Sequence, residues 1–157
     1  MKTAIFAGSF DPITNGHLDI IKSGTEIFDK VIIAVSYNSS KKGFLPVETR
    51  VKLIQESIKG IKNTEVDFYA GLTVEYAKKR GAFVLLRGLR NAQDFEFEAQ
   101  LSQTNTALDN GIKTVFLITK PESSFISSSA VREIFQNGGD VSKLVPEPVD
   151  LYLKSIR

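Results

Sequence analysis

The sequence predicts an α/β fold, doubly wound around a five-stranded parallel sheet, and two observations carry that expectation. Short apolar segments alternate along the chain with stretches whose apolar residues recur at helical spacing. Several of the short segments are apolar without interruption, as strands covered on both faces are. The 157 residues contain no internal repeat, low-complexity tract or linker, so one domain over residues 1–157 is expected.

The elements follow in order. Thr3–Ala7 is a short apolar strand that stops at Gly8. Gly16-His17 opens the first helix, whose stripe is Leu18, Ile21 and Phe28. Val31–Val35 is β-branched and ends in Ser36-Tyr37-Asn38. Val47, Val51, Ile54 and Ile58 mark the second helix, with Pro46 at its first position. Glu65–Tyr69 is a partly alternating strand, and Val74 to Arg80 is a helix that ends in basic residues and Gly81. Phe83–Leu86 is the fourth strand. Phe97, Leu101, Thr104 and Leu108 form the next helical stripe, with Asp94, Glu96 and Glu98 near its positive end. Thr114–Ile118 is the fifth strand, and Ser128 to Asn137 runs as a helix to Gly138-Gly139. Pro146-Glu147-Pro148 turns the chain into a final helix from Val149 to Ile156.

Composition excludes several classes. A hydrophobic content of 42% is enough for a real core and argues against disorder. With no cysteine, there is no disulfide, thiolate nucleophile or cysteine-ligated zinc, and the one histidine, His17, excludes a histidine-rich metal site. Twenty basic residues against eighteen acidic ones give +2, a nearly balanced surface. The apolar runs fall far short of the roughly 20 residues of a membrane span. Met1-Lys2 leads straight into a strand, and Asp11 interrupts before a secretory apolar region can form, so a cytoplasmic location is expected.

Folds of this class bind ligands beyond the carboxyl ends of the strands. After the first strand, Gly8 lets a ligand approach the backbone, Ser9 offers a hydroxyl and an N–H, and His17 lies at a helix N-terminus that favours an anion. The second strand leads into Ser39-Ser40-Lys41-Lys42-Gly43, a basic loop. The fourth ends in Arg87-Gly88-Leu89-Arg90, two arginines suited to phosphate. The fifth leads through Pro121-Glu122 to Ser123-Ser124-Phe125-Ile126-Ser127-Ser128-Ser129, where hydroxyls and N–H groups open a helix. Four such loops on one edge of one sheet point to a polyphosphate site.

Thr14-Asn15-Gly16-His17 and Ile126-Ser127-Ser128-Ser129-Ala130-Val131-Arg132 resemble the two motifs of the T/H-x-G-H nucleotidyltransferase superfamily. Within it, the chain resembles the bacterial phosphopantetheine adenylyltransferases over essentially its whole length. The resemblance rests on Gly8-Ser9-Phe10-Asp11-Pro12, Asn15-Gly16-His17, Ser40-Lys41-Lys42, Arg87-Gly88-Leu89-Arg90, Asp94-Phe95-Glu96-Phe97-Glu98 and Phe125-Ile126-Ser127-Ser128-Ser129. It implies a Rossmann-like nucleotidyltransferase fold. It implies adenylyl transfer from ATP to 4′-phosphopantetheine, giving dephospho-coenzyme A and pyrophosphate, the penultimate step of coenzyme A biosynthesis. It further implies a homohexamer and feedback binding of coenzyme A.

The resemblance also distributes roles. Ser9 is expected to touch both substrates, Phe10 to lend backbone to ATP and His17 to contact the nucleotide phosphates. Lys41, Thr73 and Arg87 are expected at 4′-phosphopantetheine. Gly88, Leu89, Arg90, Glu98, Ser123, Ser124, Phe125, Ile126, Ser127, Ser128 and Ser129 are expected at ATP. His17, Lys41, Arg90 and Ser9 are expected to carry catalysis. Ser9 stands where many members have threonine, and Ser123 where many have a large aromatic residue.

The chemistry is consistent with these residue types. A phosphate monoester nucleophile has a second pKa of about 6 and is ionised at neutral pH, so no general base is required. The need is to hold two polyanions in line and offset their charge, by Lys41, Arg87, Arg90, helix ends and Mg²⁺ carried by ATP. No protein metal site is expected, because Mg²⁺ commonly binds through substrate phosphates. The nearest alternative is another small nucleotidyltransferase with a nicotinamide mononucleotide or glycerol phosphate acceptor. A nucleic-acid-binding module is the alternative from another class. It needs a basic face with exposed aromatics, whereas the 11 phenylalanines fall largely at core-like positions and the charge is only +2. No nucleic-acid or membrane partner is expected.

Overall fold

The computed structural model describes residues 1–157. Five strands form one sheet in the order β3-β2-β1-β4-β5, every neighbouring pair parallel. They are β1 (Thr3–Gly8), β2 (Lys30–Ser36), β3 (Thr64–Tyr69), β4 (Val84–Leu89) and β5 (Lys113–Ile118). Six helices connect them: α1 (Asn15–Ile27), α2 (Val47–Ser57), α3 (Thr73–Lys79), α4 (Ala92–Leu108), α5 (Ser128–Gln136) and α6 (Glu147–Ser155). A single 3₁₀ turn, Pro121–Ser123, precedes α5. The expected doubly wound fold is the observed one. No helix is long and apolar enough to cross a membrane.

Strand alternation splits the interior in two. Ala4, Phe6, Val31, Ile33, Val35 and Leu86 face one side and join side chains of α1, α2, α5 and α6 in the larger cluster. Ile5, Ala7, Ile32, Ala34 and Leu85 face the other and meet Val74, Tyr76 and Ala77 of α3. Central β1 and β2 are buried almost throughout, which explains their uninterrupted apolar sequence. Edge strand β3 carries Glu65 and Asp67, which pair with Arg80 at the end of α3.

Four details depart from the sequence expectation. Strand β4 does not stop at Leu86: Arg87, Gly88 and Leu89 stay in the ladder opposite Phe116, Leu117 and Ile118 of β5. Pro46 is the N-cap of α2, with extended backbone, and not its first helical residue. The stripe on α4 is not a core stripe, since Phe97 and Leu108 are exposed and Glu98 is the helix's only buried residue. The phenylalanines are not largely core either: Phe68, Phe83, Phe95, Phe97 and Phe125 are exposed, and only Phe6, Phe10 and Phe28 are fully buried. The reason is geometric. Phe68 lies on edge strand β3, Phe83 and Phe125 lie in loops, and α4 buries Glu98 while Phe97 stays exposed and Phe95 packs at the sheet's edge against Phe116 of β5.

Gly88 lets α1 pack against β4. A Cβ there would lie 2.8 Å from Cγ1 of Ile20, which is 2% exposed and has no room to yield. Gly88→Ala should therefore destabilise the fold by about 1–3 kcal/mol in urea unfolding. Gly60→Ala, with nothing within 4 Å of the added carbon, should change stability little. Equal effects at the two positions would contradict this packing.

Candidate active site

The strand ends and loops at the carboxyl edge enclose a cleft of about 280 Å³. It is bounded by Ser9 and Phe10 after β1, Gly16 and His17 at the start of α1, Arg87 and Gly88 of β4, and Ile126, Ser127 and Ser128 before and in α5. Arg90, Asp94 and Glu98 close one wall.

His17 is fixed by a reciprocal cap. The Thr14 side chain accepts from the His17 backbone N–H at 3.4 Å, and the Thr14 backbone N–H donates to His17 Nδ1 at 3.0 Å. A ring nitrogen that accepts carries no proton, so the neutral ring holds its hydrogen on Nε2. The ring packs edge-on against Phe10 at 5.0 Å between centroids. Burial first, then the charges of Arg87 and Arg90, push its pKa from 6.5 down to about 4. At neutral pH His17 is therefore a neutral hydrogen-bond donor.

The two cleft arginines are already paired. Arg87 donates Nε and Nη2 to Glu98 at 2.7 and 2.6 Å, and its Nη1 to the Ala7 carbonyl. Arg90 donates Nε and Nη2 to Asp94 at 2.9 and 3.1 Å. Burial pushes Asp94 up, but hydrogen bonds from the Arg90 side chain and backbone outweigh it and hold the carboxyl below its usual range. Asp94 and Glu98, one helical turn apart on α4, thus offset both guanidinium charges. Glu98 lies in the second turn of α4 and is buried, where a solvated first-turn acid is the simpler sequence expectation.

The serine run is mostly engaged within the protein. Ser127 caps α5 by accepting from the Ala130 N–H. Ser128 Oγ donates to the Pro12 carbonyl at 2.7 Å, and Arg132 donates Nη1 to the Asp11 carbonyl at 2.8 Å and Nη2 to Ser129 Oγ. The free donors are backbone N–H groups in the first turns of α1 and α5, at Gly16, Ser128 and Ser129. Two helix N-termini therefore face one cleft, an arrangement that favours an anion.

Ser9, Phe10, His17, Arg87, Gly88, Arg90, Glu98, Ile126, Ser127 and Ser128 line the cleft together. Lys41 does not: it is exposed in the loop after β2. Thr73 lies outside too, hydrogen-bonded to the Tyr69 phenol at 2.7 Å, and the charge of Arg87 reaches that phenol. Leu89, Ser123, Ser124, Phe125 and Ser129 are outside the lining, Ser123 buried and Phe125 exposed at the rim loop. Thr119 lines the cleft and was not singled out by sequence reasoning. Its only sequence signal is its place just after the fifth strand. Asp11, Thr14 and Arg132 were visible only as letters of motifs. No three His, Asp or Glu side chains come together as a metal cage.

The cytidylyltransferase-like family model matches residues 5–134. Among solved structures, a protein from Vibrio parahaemolyticus assigned as a nicotinate-nucleotide adenylyltransferase is similar at 23% identity. The match covers 98% of this chain and 99% of that one, with a TM-score of 0.72, and speaks to the fold.

The His17 reading predicts an NMR result. His17 is the only histidine, so its ring ¹H–¹⁵N signals are unambiguous; they should titrate near pH 4 and show the Nε2–H tautomer at neutral pH. Because the folded pKa lies below the unfolded value, the contribution to stability is complete above about pH 6.5 and is lost as pH falls towards about 4. A midpoint near 6.5, or an Nδ1–H tautomer, would contradict the cap.

Proposed function

The chain belongs to the cytidylyltransferase-like family, and on that premise we propose that it transfers the adenylyl group of ATP to 4′-phosphopantetheine. The observation that carries adenylyl transfer is the neutral Nε2–H of His17 in a cleft faced by two helix N-termini. The acceptor rests on the resemblance of the six sequence segments to the phosphopantetheine adenylyltransferases. An ionised phosphate oxygen of the acceptor attacks the α-phosphorus, the bond to the β-phosphate oxygen breaks, and pyrophosphate leaves. His17 donates Nε2–H to α-phosphate oxygens as charge moves onto them. The Gly16, Ser128 and Ser129 amides hold the other phosphate oxygens. Arg87 and Arg90 keep spare N–H groups for the two substrates, although their net charge is offset by Glu98 and Asp94. Lys41 is free to add the uncompensated positive charge that these pairs do not. Mg²⁺ would supply further charge on the triphosphate. Asp94 and Glu98 are committed to arginines, so no protein ligand is assigned to it.

A pyridine mononucleotide acceptor is the second reading. The name of the structurally similar Vibrio parahaemolyticus protein, a nicotinate-nucleotide adenylyltransferase, suggests it. Pyrophosphate release from ATP and Mg²⁺ with 4′-phosphopantetheine, nicotinate mononucleotide and nicotinamide mononucleotide, and from CTP with glycerol phosphate, separates the readings. Turnover only with 4′-phosphopantetheine is expected, and turnover only with a pyridine mononucleotide moves the assignment to the second reading. His17→Ala should lower kcat by about 10² or more while changing ATP affinity far less. A variant that binds ATP poorly yet keeps kcat would refute the role.

Assembly belongs to the same proposal. Phe97, Leu101 and Leu108 form an exposed apolar stripe along α4, the kind of surface that chains bury on association. A homohexamer is proposed, with coenzyme A as a feedback ligand of the substrate site. Light scattering at micromolar concentration should give six chains, and a monomer would overturn it.

A further inference from the structure

Asp11 is 7% exposed and lies at the floor of the β1–α1 turn, yet its carboxylate serves another loop. Oδ2 accepts the Phe44 backbone N–H at 2.7 Å, and Oδ1 accepts the Leu45 N–H at 2.8 Å. Between Asn38 and Leu45 these are the only hydrogen bonds that leave the segment. The others, from Lys41 N and from Ser40 N and Oγ to Asn38, stay inside it. Gly43 gives an independent sign that this approach is built. A Cβ on it would lie 2.8 Å from Asp11 Oδ2 and 3.3 Å from the Leu45 carbonyl, so only glycine fits beneath the carboxylate. Arg50, itself 7% exposed, holds the floor by donating Nη1 to the Ser9 carbonyl at 2.8 Å.

Lys41, two residues before Gly43, is exposed and makes no ion pair. Its reach is set by where the loop is tied. The tie is the residue whose own carbonyl receives Arg132 of α5. One residue thus joins the Lys41 loop by its side chain and helix α5 by its backbone. We propose that Asp11 is a positioning residue whose carboxylate latches the Lys41 loop to the β1–α1 turn and so delivers the Lys41 ammonium to phosphate in the cleft. The inference rests on the adenylyltransferase reading for the task of Lys41, but the latch does not depend on that reading. Hydrogen bonds to a charged acceptor are among the stronger ones, and these two are the loop's only hydrogen bonds to another segment, beside the packing of Leu45 in the core and of Phe44 against Phe135.

Asp11→Asn keeps the volume and loses one acceptor; Gly43→Ala keeps the carboxylate and blocks its approach. Native trypsin digestion at Lys41 and Lys42 reads the latch without any substrate. Both variants should be nicked there at least about tenfold faster than the wild type, at unchanged circular dichroism. Wild-type nicking rates in both variants would overturn the latch, and if Asp11→Asn does not fold, Gly43→Ala decides alone. Kinetics read the positioning. Lys41→Ala should lower kcat in the wild type but cost less than about threefold more on either variant background, because the lysine is already misplaced. An equal loss on all backgrounds would overturn the positioning role. Absence of turnover with every acceptor would fall on the functional reading and on the task given to Lys41, while the nicking rates still decide the latch.

Discussion

The hydrogen bonds that Ser128 and Arg132 donate to the carbonyls of Pro12 and Asp11 hold the start of α5 against the β1–α1 turn, more than a hundred residues away in sequence. The site depends on this seam. It brings the first turns of α1 and α5 to one cleft, so the unpaired amides of two helices add there. Their partial charges need no protonation and no side-chain ordering, and their position is fixed by the sheet. The same seam places the His17 ring, because Thr14 begins the helix that Pro12 and Asp11 lead into.

The electrostatics of the cleft follow from burial. A guanidinium at the end of a central strand is costly without a partner, and Glu98 and Asp94 supply one to each arginine. The pairing fixes the planes of Arg87 and Arg90 and removes most of their long-range charge. What remains is directional: spare N–H groups, helix amides and the Nε2–H of a histidine whose pKa burial has pushed to about 4. Such a set suits oxygen atoms of phosphate at defined positions more than anions in general. Lys41, exposed in the loop after β2, has no carboxylate partner.

The sheet was legible because β1, β2 and β4 are covered on both faces, and that leaves near-continuous apolar sequence. The site was legible where a residue type has one strong use at its place, as for His17 at a helix start or the arginines after a strand core. Pairing was not legible. Nothing in Asp94-Phe95-Glu96-Phe97-Glu98 says that the first and last residues turn inward to arginines while both phenylalanines stay outside; helical phase relative to the sheet decides that. The β4 boundary failed because arginine and glycine read as loop, whereas pairing to β5 holds them in the ladder. The serine run reads as a source of both hydroxyls and N–H groups. In three dimensions the hydroxyls are structural and the amides behind them are free.

In the proposed phosphate site, backbone amides at two helix starts act with the neutral His17 ring. The most direct measurement is the amide ¹H–¹⁵N spectrum of the protein titrated with a non-hydrolysable ATP analogue and Mg²⁺. The largest shifts are expected at Gly16, Ser128 and Ser129 and at the His17 Nε2–H, with the Nε2–H tautomer retained. Saturable binding that leaves these four signals unmoved would contradict it.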